Sequence, residues 1–100
     1  RVVLMAKIAA QMIRASLDAL EKEDVELARY ATTCDDVIDD AYAAIRSSIL
    51  KDIAEGNTDG ETDRDLFMIA KYLERIGDHT TNVADWVEIS ITGSRPQDDD

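Results

Sequence analysis

A single cysteine, Cys34, rules out an internal disulfide and any CxxC zinc site. One proline and four glycines in 100 residues leave too little turn chemistry for an all-β fold, and they exclude collagen-like or low-complexity chains. No apolar run is longer than Val2–Ala6, far short of the ~20 residues that a membrane-spanning helix needs. No basic-then-apolar signal segment opens the chain, so a cytoplasmic setting is the default expectation. Cations are scarce as well: 11 Lys and Arg face 22 Asp and Glu, for a formal net charge of −11. That field disfavours nucleic acid, whose phosphates need cations to displace their counterions, and it disfavours free phosphate as a direct ligand. It favours metal cations or a basic protein surface. A salt-adapted source would also account for so carboxylate-rich a surface.

What is present reads as helix. Ala, Leu, Ile, Glu and Arg are abundant, and only two clear breaks interrupt the pattern. The first predicted helix runs from Val2 to Lys22, with Met5, Ile8, Met12, Ala15 and Ala19 on one face at spacings of three and four. Val3, Ile13 and Leu17 fall off that stripe, which predicts a second neighbour for this helix outside the core. Asp24 is suited to cap the next helix, because its carboxylate can accept from orphan backbone N–H groups. The second helix extends to about Glu55 along Leu27, Ala31, Cys34, Ile38, Ala41, Ile45 and Ile49, and ends at Gly56 as a left-handed C′ residue. Thr62 followed by Asp65 resembles a capping box, so the third helix is expected over 63–91 and ends before Gly93 and Pro96. Its stripe is read as Leu66, Ile69, Leu73, Ile76, Thr80 and Val83, continuing through Val87 and Ile91. Trp86, beside it, is read as a packing residue.

Three amphipathic helices with short turns predict an all-α, antiparallel up-down-up three-helix bundle, slender because its helices are long. The expected organisation is one domain over 1–93 and an acidic tail over 94–100. Helix one begins in mid-pattern, as a piece of a longer protein would.

The chemistry lies in paired carboxylates. Asp35/Asp39 and Asp36/Asp40 sit at i, i+4 on the second helix, and Glu74/Asp78 repeat that spacing on the third. Such like-charge pairs weaken a helix by ~0.2–0.5 kcal/mol each unless a cation intervenes. Antiparallel register puts Asp39 and Asp78 at the same level, because their numbers sum to that of the hairpin ends. Helical rotation of 100° per residue puts the acids on outward or flanking faces rather than in the core. Carboxylates without thiolates suit hard cations such as Mg²⁺, Ca²⁺, Mn²⁺ or iron; the other reading is a solvated acidic face. Asn82 continues the Glu74–Asp78 stripe and is a weaker candidate ligand. His79 is another, although it points away from Asp78 and suits a partner for Arg75 or solvent. Asp36/Asp40 points further from the core and reads as plain surface. Gly77 inside a helix costs ~1 kcal/mol relative to Ala, which marks a close helix contact. No Gly-rich phosphate loop, HExxH or GxSxG occurs, so no enzyme is expected.

The run Leu73-Glu74-Arg75-Ile76-Gly77-Asp78-His79, followed by Asn82-Val83-Ala84 and a closing Gly93, closely resembles the last helix of the phosphate-uptake regulator family, PhoU. Asp24-Val25-Glu26-Leu27-Ala28 and Asp35-Asp36-Val37-Ile38-Asp39 resemble elements of that family's middle helix. The resemblance covers nearly the whole chain and is strongest to the C-terminal of two three-helix repeats. It implies a surface metal site on Asp35, Asp39, Glu74 and Asp78, holding iron, Zn, Mn, Mg or Ca. It further implies a non-enzymatic adaptor, peripheral to the membrane, that represses phosphate import and signalling through a phosphate ABC transporter and its sensor kinase. A homo-oligomer, or pairing with a second repeat, is expected to cover Val3, Ile13 and Leu17. The alternative is a helical interaction module whose acids only keep it soluble.

Overall fold

The structure is a computed structural model that describes residues 1–57 and 60–93. Three helices, α1 (Val2–Lys22), α2 (Val25–Ala54) and α3 (Gly60–Thr92), form an up-down-up bundle measuring 52 × 27 × 14 Å. No strand occurs among the described residues, and none of their helices is long and apolar enough to cross a membrane. The expected acidic tail over 94–100 lies outside the described residues.

The turns follow from local chemistry. Glu23 takes the left-handed conformation (φ 52°), and the Asp24 backbone N–H donates to the Ala19 carbonyl at 3.0 Å, closing α1. Asp24 then caps α2: its Oδ1 accepts from the backbone N–H groups of Glu26 (2.9 Å) and Leu27 (3.2 Å). After α2, Gly56 adopts φ 71°, a conformation that side chains resist. α3 begins at Gly60, three residues before the expected start, so Thr62 lies inside the first turn instead of capping it. Glu61 and Asp63 make that turn acidic, which the N-terminal end of the helix dipole favours.

Two buried clusters fill the rod. One joins Met5, Ala9, Met12, Cys34, Ile38 and Ile45 with Ala70. The other is rich in alanine: Ala15, Ala19, Ala28, Ala31 and Ala84 pack with Val87. The α1 and α2 stripes expected from periodicity are the ones that face inward. The α3 stripe holds at Leu66, Leu73, Thr80, Val87 and Ile91, which are buried or packed against the core, and requires correction at three positions. Ile69, Ile76 and Val83 are exposed, while the buried line of α3 runs through Ala70, Gly77, Thr80, Ala84 and Val87. Small residues sit inside because they let the neighbouring helices come close, and the larger β-branched residues lie roughly 100° away. Trp86 belongs with them. It is 69% exposed and is not a packing residue of this bundle. Toward one end, Glu88 is buried and bound by Arg29 of α2, whose Nε reaches Oε1 at 3.3 Å and whose Nη2 reaches Oε2 at 3.4 Å.

Candidate metal centre

The i, i+4 pair on α2 and the C-terminal half of the pair on α3 converge on the groove between those helices. Asp35, Asp39 and Asp78 each offer a carboxylate oxygen, and the three oxygens lie within 4.8 Å of one another. The shared level of Asp39 and Asp78 expected from antiparallel register is therefore present. Glu74 stands outside that trio, but it is close enough for its charge to interact with Asp78 and Asp39. His79, Asp36 and Asp40 are exposed and stand outside it too. Asn82 is also exposed on the α3 surface.

Asp35 departs from the outward placement expected of it. It is only 9% exposed, facing α3 instead of solvent. The cause is Gly77. A Cβ at that position would collide with Asp35 Oδ1 and touch Ile38 Cδ1 at 3.4 Å, so only glycine leaves room for the carboxylate. Gly77 is thus the close contact its mid-helix position suggested, made with an acid and not with backbone. Nothing in the spacing of α2 reveals this, because the space is created by the opposite helix.

Burial and crowding act on the acids in one direction. Loss of solvent pushes the Asp35 carboxyl up to about 6, and the charges of Asp39 and Asp78 push the same way. Burial also raises Asp39, as do the charges of Asp78, Asp36 and Asp40. Glu74 is raised by burial and then by Asp78 and Asp39, with Lys71 opposing. Lys71 itself lies over the Phe67 ring at 5.9 Å, and Phe67 packs on Tyr42 with ring centroids 6.0 Å apart.

Two buried side-chain atoms among the described residues have no hydrogen-bond partner: Asp35 Oδ1 and Thr81 Oγ1. Both belong to this groove: the Thr81 hydroxyl lies near enough to the Asp35 carboxyl to pull it down as a hydrogen-bond donor, against burial and like charge, although the pair falls short of hydrogen-bond geometry. A buried polar atom left unpaired costs ~1–3 kcal/mol, and more if it is charged. Two oxygens in that condition beside two further carboxylates form a donor set that fits a hard cation. Thr81 was not singled out from the sequence. The available signal was its position one turn beyond Gly77, on the flank that also carries Glu74 and Asp78.

The PhoU domain family profile matches residues 2–87. Over 83 residues the chain is 36% identical to the phosphate-specific transport system accessory protein PhoU homolog 1 of Thermotoga maritima, covering 83% of this chain and 36% of that protein. It is 34% identical over 92 residues to the PhoU homolog of Zymomonas mobilis, covering 92% and 39%. It is also 34% identical over 84 residues to that of Clostridium acetobutylicum, covering 84% and 38%. The chain thus spans less than two-fifths of the length of these relatives. No solved structure matches it. With its profile match over most of the bundle and relatives of the same name across that span, this chain belongs to the PhoU family.

Proposed function

We propose that the chain is a metal-binding regulatory unit of phosphate uptake, acting as a non-enzymatic adaptor. The observation that carries the metal reading is the buried Asp35 carboxylate, whose Oδ1 lacks a donor beside Asp39 and Asp78. Asp35, Asp39 and Asp78 would hold the cation, with Glu74 at its margin and the Thr81 hydroxyl as a further oxygen donor. When bound, the ion supplies positive charge that offsets the repulsion among these acids. The residues themselves favour Mg²⁺, Ca²⁺, Mn²⁺ or iron over softer ions, because every donor is oxygen. Zinc, which tolerates carboxylates less selectively, belongs in the same titration.

The regulatory reading rests on the relatives, which are named as accessory proteins of the phosphate-specific transport system. We propose the same role here: restraint of phosphate import and its signalling by contact with a phosphate ABC transporter or its sensor kinase. No protein catalysis is assigned, and a soluble, cytoplasmic location with peripheral access to the membrane suits such contacts. The net charge of −11 suits a partner surface rich in Lys and Arg.

The test is calorimetric titration of Mn²⁺, Fe²⁺, Zn²⁺, Mg²⁺ and Ca²⁺ into wild type and Asp35→Asn/Asp78→Asn. The expected result is saturable binding of at least one ion by wild type and a loss of about a hundredfold or more in affinity in the variant. Indistinguishable isotherms would overturn the metal reading and leave a helical interaction module with a solubilising acidic face. Binding of the metal-loaded chain to the transporter's ATPase subunit or the sensor kinase tests the adaptor role, and no binding to either would overturn it.

A further inference from the structure

Serine and threonine inside a helix commonly turn the hydroxyl back on their own backbone, donating to the carbonyl three or four residues earlier. Thr80 does so toward the Ile76 carbonyl at 2.7 Å. Thr32 and Thr33 donate to the carbonyls of Arg29 and Tyr30, each at 2.7 Å. Ser16, at 3.0 Å from the Ile13 carbonyl, and Ser90, at 2.8 Å from that of Val87, follow the same habit. Thr81 breaks it. Its Oγ1 is buried and has no hydrogen-bond partner, on its own helix or elsewhere.

The hydroxyl is turned to the acids instead. By helical rotation, Thr81 lies on α3 between the buried line and Asp78, one turn beyond Gly77. The Asp35 carboxyl senses it as a hydrogen-bond donor. Asp35 Oδ1, the atom that Gly77 makes room for, is the other buried side-chain atom without a partner among the described residues. The two orphans therefore come from facing helices of one groove, and each costs ~1–3 kcal/mol while it stays unpaired. A bond from Thr81 to the Gly77 carbonyl would remove one of those penalties. The conformation that leaves it unmade offers the oxygen to the groove.

We propose that Thr81 determines which cations the α2/α3 groove prefers, by supplying a neutral oxygen that ions of high coordination number use and zinc does not. This rests on the metal reading above, and it concerns the ratio of two affinities instead of their existence. Affinity of a given ligand set rises from Mn²⁺ to Zn²⁺, so a protein favours the harder ion only through geometry and ligand type. Zinc is usually four-coordinate, and three protein ligands with one water satisfy it. Asp35, Asp39 and Asp78 already offer three oxygens. Mn²⁺ and Ca²⁺ take six or more. For them a fourth protein oxygen replaces a water that would otherwise have to be held in a groove drawn tight where Gly77 meets Asp35. A hydroxyl does this without adding charge. A fourth carboxylate at the same place would deepen the repulsion among acids that already crowd one another.

The experiment is calorimetric titration of Mn²⁺ and, separately, Zn²⁺ into the 100-residue chain as wild type, Thr81→Val and Thr81→Ser. Valine keeps the branched shape and removes only an unpartnered oxygen, so the metal-free fold is expected to keep its helical circular dichroism and lose no stability. Thr81→Val should weaken Mn²⁺ about tenfold or more and leave Zn²⁺ within about threefold, and Thr81→Ser should return Mn²⁺ to within about threefold of wild type. Equal weakening of both ions would overturn the proposal, because it would make Thr81 a support for Asp35 and not a discriminator. Unchanged binding of both ions by Thr81→Val would overturn it as well, and so would a serine that fails to rescue Mn²⁺. Each of those three results leaves the metal reading standing. A wild type that binds neither ion removes the metal reading itself, and this inference with it.

Discussion

The two flanks of α3 are built from the same helical repeat and do opposite things. On the α2 side an acid is drawn inward: Asp35 is buried across Gly77, and the more exposed Asp39 and Asp78 close the trio at its rim. On the α1 side, apolar groups are turned outward, with Ile69, Tyr72, Ile76, Val83 and Trp86 exposed. Each flank inverts the usual rule of apolar in and charged out, and each inversion has a local cause. A missing side chain at Gly77 admits a carboxylate. A buried line that includes Ala70, Gly77 and Ala84 brings the helices together without Ile69, Ile76 and Val83. The lesson is that neither flank belongs to the core that stabilises the bundle, so both remain available to bind something.

The sharpest way to break this comparison is to truncate one isoleucine from the core and one from the face. Ile38 is fully buried between the two flanks, and Ile38→Ala is expected to cost about 2–5 kcal/mol. Ile76→Ala, on the exposed row, is expected to cost well under half as much. Urea unfolding at micromolar protein concentration measures both. Equal losses would restore Ile76 to the core and dissolve the apolar face.

Those two residues also show where the sequence stops speaking. Periodicity finds the α1 and α2 stripes because their large apolar groups and their buried line coincide, as at Met5, Met12, Ile38 and Ile45. On α3 two lines share the same spacing, and counting large apolar residues adds Ile69, Ile76 and Val83 from the outer line to the inward Leu66, Leu73 and Val87. What decides between them is how closely α1 and α2 approach, which no single helix records. The site was legible to the same degree. Antiparallel register brings Asp39 and Asp78 level, but burial of Asp35 depends on a glycine 42 positions away. Thr81 belongs to no motif at all, and its importance, beside the Asp35 carboxyl, emerges only once the helices are packed.

The acidic flank is sharpened by pH. In the metal-free protein the Asp35 carboxyl is raised to about 6 from an ordinary 3.8, chiefly by burial. Between those values the folded state holds more of the proton than the unfolded state. Unfolding free energy therefore falls as pH rises from about 4 to about 6, by up to about 3 kcal/mol from this residue, and levels off above. Asp39 and Glu74, both raised, tilt the profile the same way. Asp35→Asn should make the profile shallower, leaving the slope from Asp39 and Glu74, and stabilise the metal-free chain at neutral pH. Urea midpoints at several pH values check this, and a profile that rises through the window would contradict a buried, raised Asp35.

Gly77→Ala probes the same flank with a smaller change in stability. The added methyl contributes about 1 kcal/mol of helix propensity, and the carboxylate it meets is the free end of a flexible side chain that can swing aside. The net change is expected to stay within about 1 kcal/mol, with Asp35 pushed toward solvent. Its carboxyl should then titrate nearer the ordinary aspartate range, which carbon-detected NMR titration of the side chain resolves. An Asp35 that still titrates near 6 in this variant would mean that the glycine does not create the site.

The smallest effect is expected where a sequence reading would place one of the largest. Truncating a buried tryptophan to alanine costs about 3–5 kcal/mol, and Trp86 sits beside the apolar spacing of α3 as though it were such a residue. In the structure it is 69% exposed, so Trp86→Ala removes little buried area and leaves no cavity. Under dilute, monomeric conditions the loss should stay within about 0.5 kcal/mol, the range of ordinary surface substitutions. Chemical unfolding followed by circular dichroism, which does not need the indole, is the suitable measurement. At high concentration the same substitution should lower the apparent stability, because association adds to the stability of whichever species it joins. A loss that is large when dilute and unchanged on concentration would return Trp86 to the core. A loss that appears only as the chain is concentrated assigns the residue to a second surface, on the flank of α3 opposite the acids.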